Sequence, residues 1–221
     1  MNTILGYIQE IDKVCLEIVN NRKTISKPFV EFLSNNPVDE IVFLGSGTSC
    51  HAAMVAKPLI EDVCNIKVVT GFPTIFIDQT KKLNKASCVV GISQSGNSSS
   101  TKKALDFSKE LGVSTMLFTS NFNSFINSSA DVLVNIDCGD EKAVAKTKGY
   151  QATIVTLWIC ALEYALFTEQ MNETVYTTYI NKLKNTIQNI PSIIEESVHW
   201  YKENESLLSQ ASSIMVVGCE S

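Results

Sequence analysis

Short apolar runs alternate with helix-period stretches through most of this chain, and that alternation restricts the fold more than any other feature. The runs lie at residues 40–44, 67–70, 88–92, 114–119 and 131–136. Each is too short for a globular helix and nearly all apolar, so each reads as a strand buried on both faces. Helical patterns follow at about 51–63 and from the loop at 93–98 to Leu111, where Gly112 supplies a C-cap. Strands separated by helices predict a parallel sheet, and right-handed crossovers then cover both its faces. The expected fold is therefore α/β, a three-layer αβα sandwich around a doubly wound, mostly parallel sheet with flanking N- and C-terminal helices.

The flanks read as follows. Residues 5–20 form one amphipathic helix with Ile8, Ile11, Val14, Cys15 and Ile18 on a face, and 29–33 form a second piece. Residues 78–85 are a polar connection. A helix through Phe167 is apolar nearly all round and so packs on more than one side. Residues 172–210 are helical, with Pro191 opening a new helix. At 213–221 an apolar run meets a glycine and small polar residues, as at 41–49. That echo suggests the start of a second, similar domain; the alternative is an edge strand of the same sheet. The division is 1–36 N-terminal helices, 37–170 the α/β domain, 171–212 a helical linker and 213–221 the restart.

Two strand-to-helix loops carry the chemistry. Ser93-Gln94-Ser95-Gly96-Asn97-Ser98 is almost entirely hydroxyl, amide and glycine. Such a loop offers free backbone N–H groups and the positive end of a helix dipole, with hydroxyls beside them. It holds no lysine or arginine, so it reads as an anion cradle made of dipoles. The competing reading is a plain turn with Ser95 and Ser98 as helix caps. Gly45-Ser46-Gly47-Thr48-Ser49 is a second loop of the same kind. In a doubly wound sheet both loops gather at the carboxyl ends of the strands, where ligands bind.

Composition narrows the rest. The chain has 221 residues, 45% hydrophobic and 19% charged, with net charge −5 and no basic block, which excludes a nucleic-acid surface. No apolar run reaches membrane-spanning length, because Thr153, Thr156 and Glu163 interrupt 152–167. The N-terminus lacks the pattern of a signal peptide. Seven scattered cysteines without a C-x-x-C pair point to a reducing, cytoplasmic setting. With two distant histidines, His51 and His199, neither a zinc site nor a cofactor is expected.

Leu44-Gly45-Ser46-Gly47-Thr48-Ser49, Ile92-Ser93-Gln94-Ser95-Gly96-Asn97-Ser98 and Glu141-Lys142-Ala143-Val144-Ala145-Lys146-Thr147-Lys148 together resemble the SIS (sugar isomerase) family. The likeness spans about 36–167 and is greatest to the double-SIS branch, with the isomerase part of glucosamine-6-phosphate synthase and fructoselysine-type 6-phosphate deglycases. It implies a sugar-phosphate ligand, with Ser93, Gln94, Ser95 and Ser98 on the phosphate and Gly47, Thr48 and Ser49 near the sugar. Val144 and Ala145 would run along the sugar. Lys146 stands where the synthase has serine, and Thr70-Gly71-Phe72 lacks the synthase's glutamate. Both departures point away from glucosamine synthesis toward another sugar phosphate. The implied activity is aldose–ketose type chemistry by an isomerase or deglycase of which this chain is the N-terminal half. A non-catalytic sugar-phosphate sensor and a scaffold domain are the alternatives. Glu141 is the candidate base, against the reading that it is a helix-start carboxylate favoured by the dipole. The resemblance also implies a homodimer or larger homo-oligomer, with residues 154–167 and 180–190 as contact surface.

Overall fold

The computed structural model describes residues 3–143 and 145–216. Its sheet has five parallel strands: β1 (Glu40–Gly45), β2 (Lys67–Gly71), β3 (Ser87–Ile92), β4 (Ser114–Thr119) and β5 (Val132–Asn135), in the order β2-β1-β3-β4-β5. All five expected strands form, within a residue or two of the expected ends. The helices are α1 (Ile4–Ile8), α2 (Ile11–Asn20), α3 (Arg22–Asn35), α4 (Thr48–Cys64), α5 (Pro73–Gln79), α6 (Ser99–Glu110), α7 (Lys148–Phe167), α8 (Glu173–Gln188) and α9 (Ile190–Gln210).

Side chains alternate along each strand between two unequal cores. Ile41, Phe43, Cys88, Val90, Ile92, Met116, Phe118 and Val134 face the larger one, built with α2, α3, α4, α7 and α8. Val42, Leu44, Val89 and Leu117 face the smaller one, closed by Ala104 and Leu105 of α6 and by Phe76 and Ile77 of α5. Phe29 of α3 meets Phe118 and Tyr164 edge-on, with centroids 6.1 and 6.3 Å apart. Ile11, Cys15, Ile18 and Val19 of α2 and Tyr176, Ile180, Leu183 and Ile187 of α8 are buried in the same large core. The flanking helices therefore share the hydrophobic interior of the α/β layers.

Several boundaries differ from expectation for physical reasons. The single helix over 5–20 is broken at Gln9 and Glu10, and Glu10 N–H donates to the Tyr7 carbonyl at 3.2 Å. Gly6 weakens the first segment. α3 runs through Pro28 and begins at Arg22, well before the expected 29. Residues 73–79, of which 78 and 79 were expected in the polar connection and the rest had no assigned element, form α5 with Pro73 in its first turn. Residues 213–216 form no strand and are exposed, while 217–221, including Cys219, lie outside the described residues.

α7 corrects two expectations. By length and composition alone it could cross a membrane, despite its interrupting polar residues, but 72% of its most apolar window is buried inside this protein. For the same reason it offers little contact surface, and Ile180, Leu183 and Ile187 of α8 also point inward. α9, by contrast, has no buried residue and displays Ile193, Trp200, Tyr201 and Leu207.

Candidate functional site

In this strand order the chain leaves β1 toward β2 on one side, and β3 adds on the other side. A crevice therefore opens above the carboxyl ends of β1 and β3, the place where doubly wound sheets bind ligands. A cleft of ≈160 Å³ occupies it. Thr48, Ser49, Ser93, Gln94, Ser95, Ser98 and Lys146 line it, together with Ser46, Ile92, Gly149, Tyr150 and Thr153.

Three helices begin at this cleft. Thr48 and Ser49 are the first turn of α4, Ser98 is the N-cap of α6, and Gly149, Tyr150 and Thr153 are on the first turns of α7. Each helix N-terminus carries roughly half a positive charge. The N-termini of α4 and α6 turn their positive ends to the cleft, whereas the first N–H groups of α7 are taken by the Glu141 carboxylate. The two loops are tied together, since Ser46 Oγ lies 3.2 Å from Ser100 Oγ. Gly45 and Gly91 allow the tight seats of α4 and α6; a Cβ on Gly91 would meet Thr101 Cγ2 at 2.8 Å.

The hydroxyls divide into engaged and open. Ser98 Oγ accepts from Thr101 N–H at 3.3 Å and from Thr101 Oγ1 at 2.8 Å. It is thus a helix cap, a role worth about 1 kcal/mol. Having accepted twice, it keeps its own proton to donate, either to Ser100 Oγ at 3.1 Å or into the cleft. Ser93, 4% exposed, accepts a long bond from Ser98 N–H at 3.4 Å. The hydroxyls of Thr48, Ser49 and Ser95 have no hydrogen-bond partner among the described residues and line the cleft directly. Gln94 is held from behind: its Nε2 donates to Ser120 Oγ and Cys138 Sγ, both at 3.2 Å.

Not every candidate faces the cleft. Gly47 is the N-cap of α4 at φ +56°, and Ala145 is exposed nearby; neither is among the lining residues. Val144 lies outside the described residues. His51 is exposed on α4. Glu141 lies beneath the cleft, 6% exposed. Its Oε1 accepts from Thr147 N–H at 2.8 Å, Thr147 Oγ1 at 2.9 Å and Lys148 N–H at 3.2 Å. Its Oε2 accepts from Gly149 N–H at 2.9 Å. Burial alone would raise its pKa, but the hydrogen bonds from the Thr147 and Gly149 backbone, the Thr147 hydroxyl and the Lys148 N–H outweigh it, so the net shift is downward. The geometry is that of a carboxylate capping α7.

Lys146 is the one ammonium at the cleft among the described lining residues, and its Nζ donates to the Glu141 carbonyl. Tyr150, Thr153 and Gly149 were not expected there. Their signal was a polar face at i, i+1 and i+4 on an otherwise apolar helix. Burial pushes the thiols of Cys15, Cys64 and Cys88 up to about 12, which disfavours their thiolate forms. Among the described residues no group of three or more His, Cys, Asp and Glu could hold a metal ion.

The profile of the SIS domain family matches residues 36–163, more than half of the chain and all five strands. The chain belongs to the SIS domain family. This SIS domain is 32% identical over 158 residues to the isomerizing glutamine–fructose-6-phosphate aminotransferase of Campylobacter jejuni, covering 70% of this chain and 26% of that one. It is 26% identical over 212 residues to the enzyme of the same name from Caldanaerobacter subterraneus, covering 96% and 32%. The SIS chain thus spans about a third or less of these relatives. A candidate phosphosugar isomerase of Clostridium difficile 630 superimposes with a TM-score of 0.85 at 28% identity, covering 92% of this chain and 57% of that one. The chain is therefore an SIS domain of the phosphosugar-isomerase type, homologous to the isomerase domain of the aminotransferase.

Proposed function

We propose that the cleft binds the phosphate ester of a sugar phosphate, a hexose 6-phosphate or its amino derivative. In this reading the chain is the N-terminal half of a cytoplasmic isomerase or deglycase. The observation that carries it is the meeting of the α4 and α6 N-termini and open hydroxyls on one cleft with Lys146 at its edge. Ser93, Ser95 and Ser98 hold the phosphate, and Thr48, Ser49 and the segment from Val144 to Lys146 flank the sugar. Gln94 acts chiefly by bracing the loop against Ser120 and Cys138.

Proton transfer between neighbouring sugar carbons needs a base within reach of the substrate. Among the described lining residues there is no carboxylate or imidazole, and Glu141 has both oxygens occupied. The chain alone is accordingly a binding half, and the base comes from elsewhere in the working protein. Calorimetric titration tests this. Fructose 6-phosphate is expected to bind and fructose is not. Lys146→Ala should weaken binding about tenfold, the worth of one charge-assisted contact. Equal binding of fructose, or isomerase turnover by this chain alone at a normal rate, would overturn the reading.

We assign self-association to α9, whose 21 residues include none that are buried. A dimer or larger assembly is expected by light scattering, with Trp200→Glu shifting it to monomer. A monomeric mass for the unmodified chain refutes this.

A further inference from the structure

Among the described residues, the segment that presents Lys146 forms no helix or strand at 136–143 or at 145–147. Besides its own bonds to Glu141, it is tied to two residues at the far end of the sequence. Lys148 is buried, with its side chain 5% exposed. Its Nζ lies 2.7 Å from Glu10 Oε2, donates to the Asp140 carbonyl at 3.1 Å, and sits 5.2 Å from the centre of the Tyr7 ring. The Tyr7 hydroxyl accepts from Lys142 N–H at 3.0 Å. Tyr7 and Glu10 flank the break between α1 and α2. They therefore grip the segment on both sides of Lys146, at 142 and at 148.

We propose that Tyr7 and Glu10 are positioning residues for the cleft: they clamp the Lys146 segment and so set ligand affinity from a part of the chain that precedes the family-matched region. The clamp rests on the reading that the cleft takes a phosphate ester. A buried ammonium needs a paired acceptor, and two directional bonds plus a ring face fix its orientation as an apolar filler would not. Glu10 keeps 45% of its side chain exposed, so its loss leaves a site that water can reach.

The test compares Tyr7→Phe and Glu10→Ala with the parent protein by amide hydrogen exchange and by fructose 6-phosphate titration. Tyr7→Phe keeps the ring over Lys148 and removes the hydroxyl that accepts from Lys142 N–H. Exchange across 142–149 is expected to accelerate about tenfold while the amides of β3 and β4 keep their rates. Affinity should fall about three- to fivefold, and that loss should vanish in a Lys146→Ala background, because the clamp acts through Lys146. Unchanged exchange at 142–149, equal acceleration in the sheet, or a full loss persisting without Lys146 would each overturn it. If the parent protein binds no hexose 6-phosphate, the ligand reading fails, and the exchange result alone decides whether the clamp exists.

Discussion

Glu141→Gln is expected to lower stability by about 3 kcal/mol, since it leaves buried N–H groups facing an amide in place of a carboxylate. The acceptor side of this bond set is fully charged, and four donors from Thr147, Lys148 and Gly149 converge on it. A glutamine can orient its oxygen to Thr147 or to Gly149 but not to both, so one N–H at the start of α7 meets an NH2 group. There is no space to turn away: a Cβ on Gly149 would already stand 3.0 Å from Glu141 Oε2. For a chain of this size the loss corresponds to a melting temperature about 6 to 12 °C lower. The pH dependence follows from the sign of the shift. Glu141 titrates lower in the fold than in the open chain. Its contribution is complete above the ordinary carboxylate range and disappears as pH falls through its folded value. The parent should therefore lose stability in acid more steeply than the variant, the two curves converging below the ordinary carboxylate range. Parallel curves across that range would show that Glu141 is not the cap described.

The five strands were legible because each is a short run with almost no polar interruption, a pattern that only a sheet covered on both faces tolerates. The Ser93–Ser98 loop was legible because its hydroxyls, amides and glycine sit where a strand feeds a helix. What the sequence hid was long-range. Gln94 resembles a ligand in its motif, yet its amide nitrogen is engaged by Ser120 and Cys138, 26 and 44 positions away. The link from Lys148 to Glu10 spans 138 positions, and no local pattern announces it. The choice for Glu141 between base and cap turned on donors that appear only when Thr147 to Gly149 wind into the first turn of α7. Residues 154–167 and 180–190 were read as surface because an apolar stripe looks the same whether it meets the protein's own core, as on α7 and α8, or water, as on α9.

Gly96→Ala should then abolish most of the ligand binding while leaving the sheet intact. Gly96 has φ +71°, and a Cβ there would lie 2.5 Å from both Cβ and Oγ of Ser124. Ser124 cannot retreat freely. Its Oγ donates to Asn127 Oδ1 at 2.7 Å, and Asn121 beside it donates to the Ser95 carbonyl at 3.3 Å. The left-handed backbone and the overlap together cost about 2 to 4 kcal/mol. The cheapest relief is for the loop to shift, which breaks the Gly96 N–H bond to the Ser93 carbonyl at 2.9 Å and turns Ser93 and Ser95 off the cleft. Affinity for fructose 6-phosphate is expected to fall by more than about tenfold, the equivalent of one lost charge-assisted contact or more. Gly112 provides the control. Its φ is +75°, but nothing lies within 4 Å of a Cβ there, so Gly112→Ala carries the backbone cost of about 1 kcal/mol and leaves affinity alone. Adding Ser124→Gly to Gly96→Ala removes both overlapping atoms and should recover much of the binding. Gly96→Ala that binds as tightly as the parent would mean that the loop's shape does not set the site.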